Sequence, residues 1–289
     1  MLALIKRAAH SSARALGFQI SRLPSPHIPW GHRFHEVLTR AEPMVVQIDI
    51  RRTRWKAGRV SFDSRHPFTL SVQRAAEVRS PIPAIREVLE AYYRLVQPTR
   101  CSDIIESFGM QDDAFSLARH NVPWPWDTQP ASRDPDRTPF YDGDAIVFGS
   151  SQAHGVQHWG PVSKQKLDTE VRKLADLLIS IEQRGYVVEG RNMDSFIRGY
   201  IMRNREDWAC VITQGQHRVA VLSALGYDKV PVYITRVVDY IYLPYFPKIT
   251  AGVYSLDEAS ELFGRMIIGE PIPALSPWLE SSFNLGSSG

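Results

Sequence analysis

The chain has 289 residues, 44% of them hydrophobic and 22% charged, with a formal net charge of +3. This is ordinary for a globular protein that can bury a real core, and the charge is too small to argue for a nucleic-acid partner. No apolar run reaches the roughly 18 residues a membrane-spanning helix needs. Cys101 and Cys210 are too far apart for zinc-ligand or redox-pair spacing, so two reduced thiols are expected.

The first segment, residues 1–24, carries Lys6, Arg7, Arg14 and Arg22 and no acid before Glu36. Leu2, Ile5, Ala9, Ala13 and Leu16 share a helix face, and Gly17 ends it. Such a segment either packs on the rest of the protein or lies on an anionic membrane surface through residues 1–22. The apolar run is too short and interrupted for a signal peptide, so the expected location is cytoplasmic, with peripheral attachment to the inner face of the membrane as the finer alternative.

Residues 25–155 are expected to be an α+β region. Val45 to Ile50 reads as a strand rich in β-branched residues. The basic run Arg51, Arg52, Arg54 and Lys56 around Trp55 reads as a solvated strand edge that discourages edge pairing. Pro83 to Val96 reads as a helix, with Ile85, Val88, Leu89, Tyr92 and Leu95 at helical spacing and Pro98 beyond its end. Ser102 is placed to cap a short helix holding Ile104, Ile105 and Phe108. Residues 120–144 are a proline-rich loop. In it Trp124 and Trp126 either stack on a ligand or, as is commoner, pin the loop to the core.

From residue 156 to 245 the pattern sharpens into a compact α/β unit. Ser163 caps a helix with the apolar stripe Leu167, Val171, Leu174, Leu178 and Ile181, and Gly185 ends it in the left-handed conformation. Strands follow at Phe196–Met202, with Gly199 inside, and at Ala209–Thr213. Gln214 and Gly215 turn the chain, a helix runs from Gln216 to Leu225 and stops at Gly226, and Val230–Ile234 is a last strand. Residues 246–289 hold one clear helix, starting at Ser255 with Glu258 completing a capping box. Gly286 to Gly289 reads as a flexible tail.

The Gly215 turn is where the chemistry points. A helix N-terminus presents unpaired N–H groups and a partial positive charge, glycine allows close approach of an anion, Arg218 can fork onto a phosphate, and His217 can add a donor. This is the general form of a phosphate site.

The stretch from Thr213 to Ile234 resembles the central box of the ParB/sulfiredoxin superfamily through Gly215, His217, Arg218, Ala220, Leu222, Ala224, Leu225, Gly226, Val230, Pro231 and Val232. His154-Gly155, His158-Trp159-Gly160-Pro161-Val162-Ser163 and Ser180 to Tyr186 are similar to ParB-like proteins associated with bacterial surface-polysaccharide synthesis. Leu16-Gly17-Phe18 and Arg22-Leu23-Pro24 are reminiscent of the same systems. The resemblance implies an α+β fold with a small nucleotide-binding module and an added N-terminal α+β region. Members of the superfamily bind nucleotides at this turn: ParB proteins hydrolyse CTP, sulfiredoxin uses ATP to phosphorylate a sulfinic acid, and a free-serine kinase shares the fold. By resemblance, Gly215, Gln216, His217 and Arg218 hold the phosphates of ATP or another nucleoside triphosphate, with Mg2+.

The departures restrict the reading. Sulfiredoxin has a cysteine where Gln216 stands, and Cys210 lies earlier, as a small buried strand residue, so sulfinic-acid repair is disfavoured. The acid that often precedes the glycine is replaced by Gln214. The chain after residue 245 is too short and proline-rich for the ParB DNA-binding architecture. The expectation is therefore a nucleotide-dependent kinase acting on a small molecule or surface glycan. The alternatives are a CTP- or ATP-binding switch or scaffold and, further off, a DNA-binding or nuclease protein; for these the carboxylate set and the dense basic face are missing, and nucleic acid is disfavoured as a partner. Catalytic candidates are Glu170 first, then Asp168, with His158 as base, phosphate donor or structural residue. Asp194 and Asp207 are further carboxylates near the strands.

Overall fold

The computed structural model describes residues 44–78, 80–105, 124–127, 154–187, 196–205 and 207–286. The amphipathic segment read over residues 2–16, most of the loop 120–144, Phe108 and Asp194 lie outside them. The fold is α+β. Five strands, β1 (Met44–Asp49), β2 (Thr53–Trp55), β3 (Ile197–Arg203), β4 (Trp208–Gln214) and β5 (Lys229–Asp239), form one mixed sheet in the order β1-β5-β3-β4-β2. β1 is antiparallel to β5, β5 parallel to β3, β3 antiparallel to β4, and β4 parallel to β2. The sheet thus draws strands from both sides of the boundary read near residue 156.

Adjacent strand residues point to opposite faces, and β2 shows what covers each. Trp55 meets the rings of His66 and Tyr92, while Arg54 donates from Nε and Nη2 to the Ile267 carbonyl, at 3.1 and 2.6 Å. On the Trp55 side lie α1 (Pro67–Ala76) and α2 (Pro81–Leu95), packed with α3 (Lys164–Arg184) and α4 (Gln216–Ala224). On the Arg54 side lies α6 (Leu256–Ile268), against β4 and the turn at Tyr240–Tyr245. Between them in the chain is the single turn α5 (Pro247–Thr250), and α7 (Ser276–Gly286) closes the described chain.

Most local expectations hold. Ser163 Oγ accepts from Lys166 N at 3.1 Å, and Ser255 and Glu258 form the capping box of α6. Cys210 is buried and free, and burial pushes its thiol pKa up. Trp124 and Trp126 stack on each other at 5.6 Å and are fully buried, so they pin the chain to the core.

Four details differ. Gly185 ends α3 with φ +70° but ψ 177°, outside the left-handed helical region. The basic run after β1 is not simply a solvated edge: a 3-10 turn at Ile50–Arg52 redirects the chain, and Arg54 becomes buried against the Ile267 carbonyl at the C-terminal end of α6, whose dipole favours a cation there. Cys101–Asp103 form a 3-10 turn with Ser102 inside it rather than capping it, and the rest of the helix read from Ser102, beyond Ile105, lies outside the described residues. Helix α7 adds a second helix of more than one turn after residue 246, with Trp278 buried and its Nε1 donating to the Arg65 carbonyl at 2.7 Å. Among the described residues, no helix is long and apolar enough to cross a membrane.

Candidate functional site at the α3–α4 contact

Gly215 carries φ +84°, which L side chains rarely adopt. A Cβ there would also lie 3.1 Å from Arg218 Nη2 and 3.2 Å from the Ile197 Cα, tight enough that the neighbours would have to give. The turn lets β4 pass directly into α4, whose first N–H groups open toward the turn. Arg218 folds back across Gly215 and donates from Nη2 to the Phe196 carbonyl at 3.2 Å.

The other two side chains of the turn are held by the protein. Gln216 is buried, and its Oε1 accepts from Gln157 Nε2 at 2.7 Å. His217 Nε2 lies 2.5 Å from Glu170 Oε2. Its ring stacks on Phe68 with centroids 4.8 Å apart and planes 14° apart. Glu170 is 0% exposed. Lys166, itself 4% exposed, places its ammonium 3.0 Å from Glu170 Oε1, and Lys173 approaches the same oxygen at 3.6 Å. Burial pushes the Glu170 carboxyl up, but the His217 charge and hydrogen bond, with Lys166 and Lys173, outweigh it and hold the group well below the usual carboxylate range.

An ionised carboxylate only accepts hydrogen bonds, so His217 Nε2 carries the proton in this pair. In the neutral ring Nδ1 is then the basic atom. The His217 side chain is 13% exposed, whereas Glu170 is fully buried.

The remaining candidates are placed elsewhere. Asp168 pairs with Arg86 Nη2 at 2.6 Å and ties α3 to α2. Asp207 pairs with Arg52 at the far end of β4. His158 lies in a loop fastened to α2: Gly160 N donates to the Val96 carbonyl at 2.9 Å, Tyr93 Oη to the Gln157 carbonyl at 3.0 Å, and Tyr92 Oη to the His158 carbonyl. Gly160 comes so close that a Cβ would sit 1.9 Å from the Tyr93 carbonyl oxygen. The loop sets Gln157 on Gln216 and the His158 ring beside Trp55, at 5.8 Å. His158 thus borders the site and is not part of the Glu170–His217 pair.

Sequence reasoning missed Lys166, Lys173, Phe68 and His66. A signal existed for the lysines. Lys166 and Glu170 sit one turn apart on the buried stripe of α3, where two charges four residues apart pair with each other. Phe68 and His66 belong to α1, which went unread. His66 is 0% exposed, stacks on Phe62 at 4.4 Å, and has no hydrogen-bond partner at either ring nitrogen among the described residues. Burial, then the charges of His217 and His158, hold its pKa well below the ordinary histidine value.

Among the described residues, no three His, Cys, Asp or Glu side chains converge as a metal site. Glu170, the carboxylate beside the turn, is already engaged by two lysines and a histidine. The described side chains therefore do not fit a magnesium site of their own. A shallow groove of about 600 Å³ on α3 is lined by residues of both signs, Lys164, Arg172 and Lys173 with Asp168 and Asp176.

No family model matches the chain, and neither the curated proteins nor the solved structures give a match to it.

Proposed function

We propose that the protein is a nucleotide-dependent phosphotransferase of ParB/sulfiredoxin-like build, which moves a phosphoryl group from a nucleoside triphosphate to a hydroxyl of a small molecule or glycan. The observation that carries the reading is the Glu170–His217 pair in the first turn of α4, directly beside Gly215. Phosphoryl transfer needs phosphate clamps and a group that takes the acceptor proton. The N–H groups that open α4 and the Arg218 guanidinium supply the clamp.

His217 takes the catalytic role first assigned to Glu170. Its Nδ1 accepts the proton of the acceptor hydroxyl as the new O–P bond forms and the bond to the leaving nucleoside diphosphate breaks. Glu170, kept ionised by Lys166 and Lys173, fixes the tautomer of the ring and stabilises the imidazolium that results.

The test is isothermal titration of ATP, ADP, CTP and GTP, with magnesium, into wild type and Arg218→Ala. Binding of an adenine nucleotide that weakens about tenfold or more in the variant, for about 1.4 kcal/mol, supports the reading. Loss of ATP turnover in His217→Gln with binding retained then assigns the base. Binding of CTP alone points to a switch without transfer. Binding of no nucleotide overturns the proposal.

The basic residues Lys6, Arg7, Arg14 and Arg22 suit a cytoplasmic protein held at an anionic membrane surface, close to a glycan-linked acceptor. Deleting residues 1–22 is expected to release the protein from vesicles containing phosphatidylserine; failure of the intact chain to bind them removes this part of the reading.

A further inference from the structure

Helix α3 reaches the start of α4 at two points. The first is Glu170, which meets His217. The second lies just past the end of α3. Gly185 stops that helix with φ +70° and ψ 177°, and the next residue, Tyr186, turns its hydroxyl in against the Arg218 guanidinium.

A tyrosine at the edge of a fold ordinarily buries its ring and keeps the hydroxyl wet. Here the polar end is the covered one. The residue as a whole is half-buried against the core, yet its Oη is shut off from solvent. A guanidinium only donates, so Arg218 can engage the oxygen of the hydroxyl but never its proton. No described group takes that proton either. Burial holds it in place, because it pushes the Tyr186 pKa up against a smaller pull from Arg218. The result is a neutral hydroxyl beside the Gly215 turn with a donor left over. An unused donor out of reach of water is costly, and folded proteins rarely keep one without a purpose. An anionic oxygen supplies what is missing. Seated at the N-terminus of α4, it accepts from Arg218 and from the Tyr186 O–H together, and charge-assisted bonds of this kind are among the stronger ones.

We propose that Tyr186 is a further binding residue of the Gly215 site, whose hydroxyl donates to a phosphate oxygen of the bound nucleotide. The inference rests on the reading of the turn as a nucleotide site. It carries a sign that a packing residue would not show. Without ligand the buried hydroxyl is a burden, so Tyr186→Phe leaves the free protein as stable as wild type or more so. With nucleotide bound, the same change removes a hydrogen bond to a charged group.

In the experiment ATP and CTP, each with magnesium, are titrated calorimetrically into the full chain as wild type, Tyr186→Phe and Arg218→Ala. The three proteins are also unfolded in urea without nucleotide. The expected result is binding about tenfold weaker in Tyr186→Phe, the scale of one hydrogen bond to a charged partner, with a urea midpoint no lower than that of wild type. Binding by Tyr186→Phe as tight as that of wild type, while Arg218→Ala binds more weakly, overturns this inference and leaves the nucleotide site standing. A lower urea midpoint together with weaker binding overturns it too, because the hydroxyl would then be supporting the fold. Binding of neither nucleotide by wild type overturns the inference and the nucleotide reading together.

Discussion

Two clusters in this protein are built alike: one carboxylate gathers several cations on each side of the sheet. Glu170 is wholly buried and meets His217, Lys166 and Lys173. Asp127 is partly open and meets Lys56 and Arg236, with Lys248 close by. The first is made largely within one helix, since Lys166 and Lys173 are one turn either side of Glu170. The second joins residues 71 and 109 positions from Asp127. The difference teaches that burial, more than the number of partners, sets how firmly a cluster is bound into the fold. It also shows that sequence distance, more than chemistry, sets how easily a cluster is read.

The sharpest way to break the comparison is Glu170→Ala. Removing a buried partner leaves Lys166 and His217 unbalanced away from water, and the expected cost is about 3–5 kcal/mol in urea unfolding at neutral pH. A loss below about 1 kcal/mol, the scale of an exposed pair, would mean that water reaches the cluster.

Asp127→Asn is expected to cost less, about 1–2 kcal/mol, because Lys56 and Arg236 keep contact with solvent.

The third effect is one of pH, and it separates the Glu170 side of the sheet from the Asp127 side. His66 has a folded pKa well below its unfolded value near 6.5. Above that value both states are neutral and nothing is gained or lost. Below it the unfolded chain binds a proton that the folded chain refuses, so stability falls with falling pH from about 6.5. Glu170 shifts in the carboxylate sense: its contribution is full above the unfolded carboxyl value near 4.5 and is lost only as pH falls through its lower folded value. Urea midpoints measured from pH 7 to 5 should therefore decline in wild type and stay flatter in His66→Phe, which keeps the stack on Phe62 and removes the titration. Equal slopes in the two proteins would show that His66 takes up a proton in the folded state.

Much of the fold was legible. The apolar stripe of α3, the Ser163 and Ser255 caps, the strand–glycine–helix passage through Gly215 and the buried Cys210 all follow from short-range rules of spacing, capping and backbone freedom. The turn residues were legible as a group, and Glu170 was picked out as a carboxylate. Helix α1 was not, because Pro67-Phe68-Thr69-Leu70-Ser71-Val72 is buried almost all round and lacks the one-sided pattern that marks a surface helix.

By itself, then, the sequence determined the local elements, the glycine that the turn demands, the presence of His217 and Arg218 at one helix start and that of Glu170 on another helix. Only the tertiary structure decided that His217 and Glu170 face each other across 47 residues, that Phe68 lies under the ring, and that Asp127 collects cations from three distant segments. Spacing rules reach only a turn or a strand pair along the chain. A charge cluster assembled from distant elements depends on how the layers stack on the sheet, and packing of the whole core sets that.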